Sequence, residues 1–180
     1  MYDWKISICM VFSIGKDCYI APTAVILGKV TIGDRVAIFD HAVIRADLNE
    51  IIIGDDTNIQ DNVTIHVEKN HATRIGKGVS IGHNAIVHGS EVENTVLIGM
   101  GAILLNGCHI RKGTVVAAGA LVPENFESSE NALLVGVPAK EKRKGEEMYA
   151  MSEANYRSYT WIREQYLSGN VDRYRNNLED

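Results

Sequence analysis

Proline and cysteine are both scarce in this sequence, three of each among 180 residues, and aromatic side chains make up only 7% of it. So little proline excludes a polyproline or collagen-like chain. The cysteines (Cys9, Cys18 and Cys108) are odd in number, far apart and never in a CxxC pair. That excludes a disulfide framework and fits reduced thiols in a cytosol, so a cytoplasmic protein is expected. Residues 6–14 are apolar, but only Lys5 precedes them as a positive charge and no small-residue cleavage site follows. The segment is too short to span a bilayer and reads as an entry strand, so no membrane partner is expected. Excess positive charge is also missing: the net charge is −5, which leaves no footprint for nucleic acid or an anionic membrane surface. The length suits one domain with its own core.

What the sequence does have is a period of six. Aliphatic residues recur at Ile14, Ile20, Ile26, Ile32, Ile38 and Ile44. After a slip of three the series continues at Ile53, Ile59 and Ile65, and after a four-residue insertion at Ile75, Ile81 and Val87. One residue is then lost, and the period resumes at Val92, Ile98, Leu104, Ile110, Val116 and Val122. Four positions after many of these stands a small or β-branched residue, such as Val36, Ala42, Val63, Val79, Ala85 or Ala102. Neither the helical period of 3.6 nor the strand period of two accounts for six. Short strands joined by tight corners do, with one aliphatic side chain per side pointing inward, which is the signature of a parallel β-helix. Three sides per turn give about six coils stacked at roughly 4.8 Å.

Past Val122 the period stops. Residues 123–131 are polar and loop-like, residues 134–138 read as a short closing strand, and residues 139–151 are charged and partly helical. Residues 152–167 read as a helix capped by Ser152 and ended by Gly169, with Tyr156, Tyr159, Ile162 and Tyr166 at helical spacing forming a docking face. The expected organisation is a β-helix with entry and closing strands over residues 1–138. A C-terminal helical segment, residues 139–180, packs on it.

The hexads give the histidines definite places. His66 follows Ile65 and His88 follows Val87, one whole coil later, so the two stack on one face about 4.8 Å apart. Two imidazoles at that spacing suit one metal ion. His83 falls on a neighbouring face and can complete such a site only from another copy of the chain, as a three-fold packing of prisms would arrange. Arg45 lies one coil below His66, with Asp47 beside it. Gln60 and Asp61 lie one coil below His83. An Arg45–Asp61 contact would then lock subunits in register, and Gln60 would point at the open position of the metal. His41, His71 and His109 read as solvated corner residues.

Several motifs in combination resemble the gamma-class carbonic anhydrase family over residues 14–167. They are Val43-Ile44-Arg45-Ala46-Asp47, Asn58-Ile59-Gln60-Asp61-Asn62, Ile65-His66 and the run Ile81-Gly82-His83-Asn84-Ala85-Ile86-Val87-His88-Gly89. Leu97-Ile98-Gly99-Met100-Gly101-Ala102 and Gly136-Val137-Pro138-Ala139-Lys140 fit its short-loop bacterial and archaeal members. The resemblance implies an all-β, left-handed β-helix with a C-terminal α-helix, assembled as a homotrimer. It implies Zn2+ (or Fe2+ or Co2+) held by His66, His83 and His88 across subunit interfaces. Gln60 would orient the metal-bound water, and Arg45, Asp47 and Asp61 would be interface or supporting residues. Tyr159, or Tyr156, would stand over the site. The implied reaction is hydration of CO2 to bicarbonate by metal-bound hydroxide, the pKa of the water falling from about 15.7 to about 7.

The chain departs from the best-characterised members at the proton exit. Residues 67–74 are short, with Glu68 and His71 the only groups there able to move a proton, and Leu48 stands where such members have a glutamate. Other functions stay open on the same fold. One is a hexapeptide-repeat acyltransferase using His71 or His109 as base. Another is a trimeric scaffold that keeps the metal for stability, and a third is metal-hydroxide hydrolysis of a small ester or thioester.

Overall fold

The computed structural model describes residues 12–172. The chain winds as a left-handed parallel β-helix of about seven turns and ends in a single helix. The turns contribute short strands to three faces. The first face stacks the start of Val25–Ile32 on the start of Val43–Ile53, then Thr64–His66, Ile86–His88, Ile103–Leu104 and Leu121–Val122. The second carries the ends of the two long strands, then Thr73–Ile75, Glu91–Val92 and His109–Ile110. The third stacks Tyr19–Ile20, Ala37–Ile38, Asn58–Ile59, Ser80–Ile81, Leu97–Ile98, Val115–Val116 and Ala132–Gly136.

The period of six is the inward column. Ile38, Ile44, Ile59, Ile65, Ile81, Val87, Ile98, Leu104, Ile110, Val116 and Val122 are all fully buried. Branched side chains suit these pleated positions and interdigitate along the axis. The small residues four places on, including Val36, Ala42, Val63 and Ala85, fill the prism edges. Corners need a left-handed residue, supplied by Asn62 and Asn84 (both φ 60°) and by Asp56 (φ 56°), and Asn and Asp tolerate that region better than most residues. At Gly28 (φ 83°) the approach is closer still: a Cβ would lie 2.0 Å from the Ala46 carbonyl oxygen.

Among the described residues, the stacking of coil on coil departs from strict repetition at one edge. All three breaks fall between the first and second faces: residues 47–49 bulge between Ala46 and Glu50, residues 67–72 form a short hairpin closed by Glu68 and His71, and one residue is lost after His88.

The structure adds a turn to the six read from the sequence. Ser128 takes the inward position six after Val122, buried with its Oγ accepting the Arg111 N–H at 2.8 Å, and Leu134 resumes the series. A polar residue at an inward position hid this coil. Residues 139–151 are partly helical as expected, but their first part is a strand. Ala139–Lys144 is a strand, antiparallel to Ala132–Gly136, and its exposed charges protect a sheet edge. The helix α1 (Glu146–Leu167) begins after Gly145, six residues before the expected cap; Glu146 and Glu147 face the positive end of its dipole. Ser152 lies inside it, buried, 3.5 Å from the Thr114 carbonyl oxygen. Of the entry segment, Phe12–Ile14 forms a strand and the remainder lies outside the described residues, as does Cys9. Cys18 and Cys108 are free thiols. Among the described residues no helix is long and apolar enough to cross a membrane.

Helix α1 docks on the third face as its tyrosine spacing predicts. Tyr159 and Tyr166 meet Phe39 at ring distances of 5.7 and 5.6 Å, Tyr166 also meets Tyr19 at 4.6 Å, and Tyr156 covers Gly78. Arg163 is buried beneath the helix and donates to the Arg35 carbonyl oxygen at 2.7 Å.

Candidate metal centre

One column on the first face gathers the expected residues. Leu27, Arg45, His66 and His88 are register partners on successive coils. The two imidazoles lie 4.9 Å apart at their centroids, close to the strand spacing, and His66 Nδ1 faces His88 Nε2 at 3.0 Å. The outer nitrogens are both engaged. His66 Nε2 donates to Asp47 Oδ1 at 2.8 Å, and Arg45 pairs with the other carboxylate oxygen. The bulge at 47–49 is what lets Asp47 leave the ladder and reach the ring. Burial raises the Asp47 pKa, but the bonds from His66 and Arg45 outweigh it and leave the carboxyl below its ordinary value. His88 Nδ1 lies 2.6 Å from Asn106 Oδ1.

Proton placement follows from these partners. The ionised Asp47 carboxylate only accepts, so His66 carries its proton on Nε2. Asn106 turns its oxygen to His88, so His88 carries its proton on Nδ1. The two facing nitrogens are then both lone pairs, which repel unless a cation or a shared proton lies between them. Two imidazoles on one tetrahedral zinc, with bonds of about 2.0–2.1 Å, would hold their nitrogens roughly 3.3 Å apart. The observed 3.0 Å is near that value, so the pair fits two positions of a metal site.

His83 lies on the corner after Ser80–Ile81, away from this column. Its Nδ1 is 2.8 Å from Asp61 Oδ2, one coil below, which leaves Nε2 as the lone pair. Its main-chain N–H donates to Gln60 Oε1 at 3.2 Å. Gln60 in turn donates to Asn58 Oδ1 at 3.1 Å, and Asn58 to Ser80 Oγ at 2.7 Å, a buried chain of amides. Tyr159, rather than Tyr156, reaches the ring, its hydroxyl 3.5 Å from His83 Nε2. Burial and the Asp61 charge raise the Tyr159 pKa. Gln60, His83, Met100, Asn155 and Tyr159 border a cavity of about 340 Å³. Among the described residues, no group of three or more His, Cys, Asp or Glu within the single chain is placed to hold a metal ion.

The structure therefore brings His66, His88, Arg45 and Asp47 together in one half, and His83, Gln60, Asp61 and Tyr159 in another. Within the chain Arg45 pairs with Asp47 and Asp61 with His83. Asn58 and Asn106 were missed in the sequence; each is legible only once the coils are stacked. His109 is not a corner residue: it sits in the strand His109–Ile110 with Glu93 at 3.0 Å. His71 stays at a corner, 3.1 Å from Glu68. A larger cavity, of about 510 Å³, lies beside His71, Arg74 and His109. Its basic side chains are already paired with Glu50, Glu68 and Glu93.

No family model matches the chain. Among curated proteins, it is 45% identical over 127 residues to the "Probable carbonic anhydrase" of Methanocaldococcus jannaschii, covering 71% of this chain and 80% of that protein. It is 42% identical over 137 residues to gamma carbonic anhydrase 2, mitochondrial, of Arabidopsis thaliana, covering 73% of this chain and 49% of the plant protein. The chain belongs to the gamma-class carbonic anhydrase family. It spans about half the length of the plant members of that family which it matches. Among solved structures, a hexapeptide transferase family protein from Anaplasma phagocytophilum superimposes with a TM-score of 0.74 at 31% identity, over 85% of this chain and 96% of the other. The gamma carbonic anhydrase family and the hexapeptide transferases thus meet on one fold here, and the fold alone does not choose between their chemistries.

Proposed function

We propose that the protein is a metal-dependent carbonic anhydrase working as a homotrimer. His66 and His88 of one chain and His83 of the next hold a divalent cation, Zn2+ in the first instance and Fe2+ or Co2+ as alternatives. The observation that carries this reading is the pair of ring nitrogens facing each other at 3.0 Å, each ring's other nitrogen turned outward to Asp47 or Asn106. Metal-bound histidines characteristically donate their second nitrogen to such acceptors. A cation held there supplies the Lewis acidity that makes water a nucleophile toward CO2 at neutral pH.

The remaining roles belong to the chain. Asp61 holds the His83 proton on Nδ1 and turns Nε2 outward, toward a neighbouring subunit. Gln60, fixed by Asn58 and by the His83 N–H, presents its amide at the cavity beside that ring. Tyr159 closes the cavity from helix α1. Glu68 and His71, on the corner that follows His66, are the groups that take up a released proton. The first face supports the trimer: beside the histidine column, Val25, Leu27 and Ile86 leave 42%, 44% and 37% of their surface exposed. An apolar stripe of this kind, bordering polar residues, marks an interface.

A second reading, acyl transfer, is favoured by the likeness to the Anaplasma hexapeptide transferase family protein. One pair of assays separates them. Protein purified without chelator should carry metal and hydrate CO2 in stopped flow, while showing no release of thiol from acyl-coenzyme A. Metal-free trimers with acyl transfer would favour the second reading instead.

A further inference from the structure

We propose that Asn106 is a positioning residue that fixes the proton of His88 on Nδ1, with Glu124 setting the direction of the Asn106 amide. The inference rests on reading His88 as a ligand in the proposed metal site. An asparagine can present either its oxygen or its nitrogen to a neighbouring ring, and the two ends dictate opposite tautomers. Glu124 removes the ambiguity here. Its Oε1 lies 3.5 Å from Asn106 Nδ2, and a carboxylate can only accept, so the amide nitrogen faces Glu124 and Oδ1 faces His88. At 2.6 Å from His88 Nδ1, that oxygen makes Nδ1 the protonated nitrogen and leaves Nε2 free toward His66.

A bland alternative is that Asn106 merely caps a corner. Asp34, Asp55 and Asn94 do so at other corners of the β-helix, each on the main chain of the coil below. Asp34 Oδ1 accepts the Lys16 N–H at 2.8 Å, Asp55 Oδ1 the Asp34 N–H at 2.9 Å and Asn94 Oδ1 the Lys77 N–H at 2.8 Å. Asn106 uses the same kind of oxygen on an imidazole. A Cβ at Gly89 (φ 52°) would lie 2.5 Å from Asn106 Oδ1, as one at Gly33 would lie 2.4 Å from Asp55 Oδ1, so the glycine serves the corner in the ordinary way and the contact with the imidazole is what sets Asn106 apart from these caps. The asparagine one coil above His88 and the glutamate one coil higher form a single device.

The test uses the full chain, with histidine labelled in nitrogen-15. Long-range proton–nitrogen spectra of the metal-free protein should show His88 protonated on Nδ1. Asn106→Leu should shift the ring to the Nε2 proton or to an exchanging mixture, whereas Asn106→Asp, which keeps an acceptor, should hold the Nδ1 proton. In competition with a chromogenic chelator, Asn106→Leu should weaken zinc binding about 10–100-fold, while Asn106→Asp stays within about threefold of the parent. Thermal unfolding in excess chelator checks that both variants fold. An unprotonated Nδ1 on His88 in the parent, or Asn106→Leu with parental tautomer and affinity, would overturn the inference. A parent that binds no zinc would instead defeat the metal reading, and the metal-free spectra would still decide the role of Asn106.

Discussion

His66 Nδ1 and His88 Nε2 face each other across 3.0 Å, while His83 is held on a different corner of the prism by Asp61. The site is therefore expected to be divided between chains, and the division is testable by complementation. A chain carrying His66→Ala and His88→Ala should bind no metal alone, nor should one carrying His83→Ala. Refolded together as mixed trimers, they should regain a single site, where an intact His66/His88 face meets an intact His83. Metal analysis by mass spectrometry reads the result, and mixtures that stay metal-free would refute the sharing.

Inward and outward isoleucines should behave differently. Ile81 is fully buried between Ile59 and Ile98, so Ile81→Ala should destabilise the fold by about 2–5 kcal/mol in chemical denaturation. Ile86, one corner further on, faces outward on the first face. Ile86→Asp should leave the secondary structure intact by circular dichroism but shift sedimentation from trimer toward monomer.

Acid should loosen the corner that anchors helix α1. A hydrogen bond from Arg35 holds the Asp56 carboxyl below its ordinary value of 3.8. A depressed folded pKa stabilises the protein fully above the unfolded value, and that stabilisation is lost as pH falls through the folded one. Asp56→Asn should therefore lower the thermal midpoint at neutral pH yet flatten its decline below about pH 4. Curves that run parallel down to acid would show that this pair contributes nothing.

Thiol chemistry should distinguish the cysteines. Burial pushes the Cys108 thiol up to about 12, so it is protonated and inert at neutral pH. Ellman's reagent should leave Cys108 unmodified in the native protein, as read by peptide mapping, and label it on unfolding in guanidinium. Rapid native labelling of Cys108 would contradict the burial described above.

Much of the architecture was legible because an inward column repeats one residue type at one spacing. His66 and His88 could be stacked by counting alone, and the structure makes them register partners. Counting failed where chemistry at a position changed while geometry did not, as at Ser128, whose hydroxyl replaces an aliphatic side chain and concealed the last turn. The charged stretch 139–151 reads as partly helical, and its helical part begins only at Glu146; the charges before it guard the edge of a strand. The start of the helix was hidden because Gly145 offers no side-chain cap. Asn106 was invisible for another reason: its partners His88 and Glu124 are each eighteen positions away, as Ser80 is far from Asn58, and no local pattern marks an amide that reaches across coils.

The three breaks in the hexad period share a single edge of the prism, the one that runs beside His66 and His88. Two of the three edges are thus a fixed chassis, and the third is where length is negotiable. Segments of other sizes could be grafted at 67–72 without disturbing the stacking, so the rim of the site is free to diversify while Asp47, in the bulge at 47–49, keeps its hold on His66.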